Sequence, residues 1–128
     1  IVVGRLDIDK TTWQNFSEGN LTEYIYDNEG NYTIDESGAG SNPTEKNMAK
    51  LAAGLGYNRY TEKLSDISDL SKITYVWGNR DGQVGPLSDQ ELAFLNEKNA
   101  NISLIEGGTH DTAIEGGVAL LKTTFKIP

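Results

Sequence analysis

The chain has 128 residues, no cysteine, and nineteen Asp and Glu against eleven Lys and Arg, for a formal net charge of −8. That length allows one domain, or part of a larger one, with a real core. The missing cysteine excludes a disulfide scaffold and a Cys-ligated zinc site. The acidity argues against nucleic acid and anionic membrane as main partners, because both require a cationic face. No apolar run approaches the ~20 residues of a membrane helix, so no membrane span is expected.

The chain opens at Ile1 rather than Met, which predicts a segment upstream, and no signal-peptide pattern is present. Ile1-Val2-Val3-Gly4 reads as a short buried strand. Asp9, Thr11 or Thr12 can cap a helix carrying Trp13 and Phe16, ended by Gly19-Asn20. Glu23-Tyr24-Ile25-Tyr26 and Tyr32-Thr33-Ile34-Asp35 alternate around an Asp/Asn/Gly turn and predict a hairpin. Ser37 to Pro43 is expected to be a loop. Thr44 is the expected cap of a helix whose apolar face is Met48, Leu51, Ala52 and Leu55. Residues from Tyr57 to Asp69 are connective, anchored by Leu64, Ile67 and Leu70.

The last third is more regular. Ile73 to Trp77 reads as a strand. Ser88-Asp89-Gln90-Glu91 fits a capping box, and Leu92 and Leu95 continue that helix. Ile102 to Ile105 reads as a second strand, and Ile114, Val118 and Leu121 mark a final helix. Strand, helix, strand, helix with short connections predicts an α/β fold: a partial parallel sheet with flanking helices. The whole is expected to be one incomplete unit. Residues 1–10 supply a sheet strand, 11–70 an irregular cap-like insertion, and 71–128 the strand-helix-strand-helix part.

In parallel α/β sheets the chemistry sits in loops at the carboxyl ends of strands. After Trp77 comes Gly78-Asn79-Arg80-Asp81-Gly82-Gln83-Val84, and after Ile105 comes Glu106-Gly107-Gly108-Thr109-His110. Adjacent parallel strands would bring Asp81 and His110 to one edge. A carboxylate that accepts the Nδ1 proton of an imidazole fixes the tautomer and leaves the other nitrogen to act as base toward a hydroxyl.

This arrangement resembles the carboxy-terminal part of the α/β-hydrolase fold. The strand-Gly-x-x-Asp-x-x-Val piece (Ile73 to Trp77, Gly78, Asp81, Val84) looks like that family's acid loop. The strand-Gly-Gly-x-His piece (Ile102 to Ile105, Gly107, Gly108, His110) looks like its histidine loop. The order of acid before histidine and the intervening helix also agree. The likeness covers about Ile67 to Phe125. It implies that Asp81 is the acid and His110 the base of a catalytic triad that hydrolyses an ester, thioester or amide, with no cofactor and no metal. It also implies a Gly-x-Ser-x-Gly nucleophile turn, and none occurs in these residues. Ser37 lacks the leading glycine. The expectation is therefore the carboxy-terminal piece of a serine hydrolase, inactive alone and completed by an upstream segment or a second chain along the edge at Ile1 to Gly4. Trp13, Tyr24, Tyr26 and Tyr32 are candidates to line an acyl pocket.

Two other readings stay open. Asp7-Ile8-Asp9-Lys10-Thr11 resembles the Asp-x-Asp-x-Thr signature of haloacid-dehalogenase-like phosphohydrolases. That likeness implies Asp7 as nucleophile and Asp9 as acid/base, with Mg²⁺ neutralising the cluster. The last is a non-enzymatic α/β binding module. The separation of Asp81 and His110 discriminates between the hydrolase reading and a module without a site.

Overall fold

A computed structural model of the chain describes residues 1–35, 42–54, 57 and 59–128. The expected loop residues from Ser37 to Ser41, and Leu55 and Gly56 of the second predicted helix, lie outside the described residues. The fold is mixed α/β, with one parallel and one antiparallel strand pair flanked by helices. The chain divides into two compact units, Arg5–Ser65 and a unit built from Ile1–Gly4 with Asp66–Pro128.

The Arg5–Ser65 unit begins with helix α1 (Lys10–Ser17), started by Asp9, whose carboxylate accepts from the Thr12 backbone N–H at 2.8 Å. Strands β1 (Glu23–Tyr26) and β2 (Tyr32–Asp35) form the expected hairpin, with Tyr24 opposite Ile34 and Tyr26 opposite Tyr32. Asp27 Oδ1 accepts from the backbone N–H groups of Glu29 and Asn31 at 2.9 and 3.0 Å, which closes the turn between them. Gly30 takes φ 89° there, a conformation that glycine adopts without cost. The rings of Tyr24 and Tyr26 both lean on that of Tyr32, with centroids 5.4 and 5.8 Å away.

Helix α2 (Pro43–Ala53) packs on α1, and the Trp13 indole N–H donates to the Ala53 carbonyl at 3.0 Å. Its cap is Asn42, not Thr44. Asn42 forms a capping box with Glu45, and Pro43 occupies the first helical turn, where its missing N–H costs nothing. The buried face also differs from the expected one. Ala49 and Ala53 are buried, whereas Met48 and Leu51 are 61% and 75% exposed. Small residues let the helix approach its neighbour, and the larger apolar side chains then point away from that contact. The short helix α3 (Tyr60–Lys63) interrupts the stretch expected to be connective.

In the other unit, strand β3 (Thr74–Gly78) pairs in parallel with β4 (Asn101–Ile105), in a register that sets Gly78 opposite Ile105. Helix α4 (Asp89–Glu97) connects them. It starts at the expected capping box, in which Glu91, fully buried, accepts from the Ser88 backbone N–H at 3.0 Å. Tyr75, Val76, Leu87, Phe94, Leu95 and Ala113 form the core.

The strand expected at Ile1 to Gly4 is reduced to one parallel bridge, Val2 to Val76. Val3 turns to φ 49°, where a β-branched residue ends an extended run, and Ile1 is exposed rather than buried. The pairing is still in parallel with β3, through Val3 N–H to Val76 O and Val76 N–H to Ile1 O, both at 2.8 Å.

Helix α5 (His110–Thr124) packs on β3 and β4 and buries Ala113 and Gly117. A Cβ on Gly116 would come within 2.7 Å of Ile105 Cδ1, and one on Gly117 within 2.7 Å of Val2 Cγ1. Glycine is therefore what lets this helix lie so close to the strands. Ile114, Val118 and Leu121, which marked this helix in the sequence, lie on it but are exposed. Among the described residues, no helix is long and apolar enough to cross a membrane.

Candidate active site

The site is built where β3 and β4 end side by side. Gly78 closes β3, and a Cβ on it would stand 2.3 Å from the Gly108 carbonyl oxygen. A Cβ on Gly108 would in turn meet the Ile105 carbonyl at 2.7 Å and Gly78 Cα at 3.1 Å. Both glycines are thus needed for the two backbones to touch. Three hydrogen bonds then join the loops. The Arg80 N–H donates to Gly108 O at 3.0 Å. The Gly107 N–H donates to Asn79 Oδ1 at 2.7 Å, and Asn79 Nδ2 donates to Glu106 Oε1 at 3.0 Å.

This contact brings Asp81 and His110 together. His110 Nδ1 lies 2.8 Å from Asp81 Oδ2. The other carboxylate oxygen, Oδ1, accepts from the backbone N–H groups of Gln83 and Val84 at 2.9 and 3.0 Å. Asp81 is 1% exposed. Its side chain is therefore oriented from both ends, one oxygen by its own turn and the other by the imidazole. An ionised carboxylate can only accept, so beside one a neutral ring would carry its proton on Nδ1 and its lone pair on Nε2. Among the described residues, Nε2 has no hydrogen-bond partner. The His110 side chain keeps 21% of its surface exposed, so the ring can be reached.

The backbone delivers the imidazole to this place because His110 is the first residue of α5. Thr109 caps the helix, with its hydroxyl accepting from the Thr112 N–H, and fixes where the helix begins. Asp81, His110, Gly78, Gly107 and Gly108 were legible in the sequence, and the parts of Asn79 and Glu106 were not. The signal for them was a side chain with both a donor and an acceptor next to the glycine that closes β3.

The other candidate carboxylates are engaged elsewhere. Asp7 accepts from the Thr61 backbone N–H and hydroxyl at 3.1 and 2.6 Å and pairs with Arg59 at 3.7 Å. Asp9 is occupied by the start of α1, where its second oxygen accepts from the Thr12 hydroxyl at 2.7 Å. Among the described residues, no group of three or more His, Cys, Asp or Glu side chains is placed to hold a metal ion.

No protein-family model, no curated protein and no solved structure matches the chain.

Proposed function

We propose that the chain supplies the acid and the base of a serine-hydrolase site of the α/β-hydrolase type. The observation that carries this reading is the contact of 2.8 Å between His110 Nδ1 and the buried Asp81. In the proposed reaction Nε2 of His110 takes the proton from a serine hydroxyl as that oxygen attacks an ester, thioester or amide carbonyl. Asp81 holds the ring in the required tautomer and stabilises the imidazolium that forms. His110 then passes the proton to the leaving group, and water repeats the sequence to release the acid.

The nucleophile and the donors for the developing oxyanion would come from a segment outside these residues, upstream or on a second chain, adding strands beyond Ile1 to Gly4. The 128-residue chain alone should neither turn over esters nor react with a fluorophosphonate probe, since among the described residues no hydroxyl meets Nε2 of His110. The test is to express the chain with the coding sequence that precedes Ile1 and to expose the product to that probe. Labelling of one serine, lost on His110→Ala, is the expected result. No labelling of the extended protein, or labelling indifferent to His110→Ala, would overturn the proposal.

A further inference from the structure

The contact between Asp81 and His110 depends on two loops that belong to different strands, and neither residue by itself holds the loops together. Asp81 is anchored within its own turn by Gln83 and Val84. His110 is anchored to its own helix, which Thr109 starts. The side chain of Asn79 also bridges the two. Asn79 stands between Gly78, which ends β3, and the turn of Asp81, and it reaches the histidine loop with both halves of its amide. Its Oδ1 takes the Gly107 N–H at 2.7 Å, and its Nδ2 gives a hydrogen to Glu106 Oε1 at 3.0 Å.

Gly107 sits at φ 68°, a left-handed turn that glycine adopts without cost. No Cβ would be obstructed at that position. The glycine thus serves the turn and not a close approach, in contrast to Gly78 and Gly108. The loops are also tied by the backbone bond from the Arg80 N–H to Gly108 O at 3.0 Å, beside two further devices. The two close-approach glycines let the backbones touch, and the Asn79 amide sets how the histidine loop is oriented once they do.

We infer that Asn79, braced by Glu106, is a positioning residue that holds His110 Nδ1 on Asp81. The structural part of this inference concerns only the imidazole and its carboxylate. Its catalytic meaning rests on the proposed hydrolase reading. An amide is suited to the work because it accepts and donates in the same plane. A carboxylate at position 79 would still accept from Gly107 but would face the Glu106 carboxylate with no donor between them. Alanine would lose both bonds.

His110 is the only histidine in the chain, so the nitrogen and proton signals of one imidazole report the site without ambiguity. The experiment is a long-range nitrogen–proton NMR correlation of the neutral ring in the 128-residue chain, which reads the fractions of the Nδ1–H and Nε2–H tautomers. The native chain should be predominantly Nδ1–H. Asp81→Ala should return the ring to the Nε2–H-dominated mixture of free imidazole. Asn79→Ala should lose most of the Nδ1–H fraction too, and so should Asn79→Asp. Adding Glu106→Gln to Asn79→Asp reverses the polarity of the bond and should restore the Nδ1–H form.

A residue important only for folding would lower the melting temperature and leave the tautomer as it is. Unchanged tautomer fractions in Asn79→Ala, with Asp81→Ala effective, would overturn the positioning role and leave the hydrolase reading standing. So would failure of the Glu106→Gln change to restore what Asn79→Asp loses. A native ring that is not Nδ1–H would overturn both. A native tautomer that depends on Asn79, in an upstream-extended protein that no fluorophosphonate labels, would uphold the positioning role and remove the hydrolase reading.

Discussion

Carboxylates do different work in the two units of this protein. In the Arg5–Ser65 unit, Asp7, Asp9 and Asp27 each bind backbone N–H groups and thereby fix a bridge, a helix start and a turn. In the other unit Asp81 gives one oxygen to two backbone N–H groups, as Asp27 does, but its second oxygen meets an imidazole. The chemistry of the side chain is the same. What differs is that the backbone bonds hold Asp81 at the end of a parallel strand, beside a second strand end that presents a histidine. A carboxylate becomes part of a candidate site when the fold places one of its oxygens against an imidazole.

The largest effect is expected where that placement is enforced. Gly78→Ala puts a Cβ against the Gly108 carbonyl at 2.3 Å, with backbone on both sides and no flexible side chain to give way. The loss should be about 3 kcal/mol of stability, seen as a lower urea midpoint. Asp81→Ala comes next. It leaves the N–H groups of Gln83 and Val84 and the His110 ring without their acceptor, at a cost of about 1–3 kcal/mol. Asp81→Asn should cost less, since the amide oxygen still accepts within the turn. If Asp81→Asn and Asp81→Ala are equally destabilising, the division of labour between the two oxygens is wrong.

Much of this was legible from the residues. The hairpin showed in the alternation around Asp27 to Asn31, and the box at Ser88 and Glu91 in its spacing. The two site loops showed because glycine followed each strand and a titratable residue followed the glycine. Helix faces were less legible, for one reason in both cases. Met48 and Leu51 on α2, and Ile114, Val118 and Leu121 on α5, have the periodicity of a packed face but are exposed. The packed faces are made by Ala49, Ala53, Ala113 and Gly117. Close approach selects for small side chains, which carry little weight in a hydrophobic pattern. The role of Asn79 was hidden because it depends on Gly107 and Glu106, which are remote in the chain and meet it only through the parallel register.

Smaller effects probe the Arg5–Ser65 unit. Asp9→Ala removes the cap of α1 and should cost about 1 kcal/mol, measurable as a shift in urea midpoint, with no change in the His110 tautomer. Tyr24 gives a pH dependence. Burial raises its hydroxyl above the ordinary 10.0, against the opposing charge and hydrogen bond of Arg5. The unfolded chain therefore loses that proton first. The stability that Tyr24 contributes is fully present below pH 10 and declines as the pH rises toward its folded value. Denaturation midpoints taken through the alkaline range should fall, and the part of that fall due to Tyr24 should vanish in Tyr24→Phe.

The most direct test of the acid-and-base assignment is turnover of a p-nitrophenyl ester by the proposed hydrolase, the chain together with the segment proposed to carry its nucleophile. His110→Ala should reduce the rate by about 10²–10⁴-fold, the usual worth of a positioned general base. Asp81→Asn should reduce it less, because Asp81 orients the base without itself taking the proton from the hydroxyl. A rate unchanged by both substitutions would contradict the account, and so would a Mg²⁺-dependent phosphatase activity that disappears on Asp7→Asn.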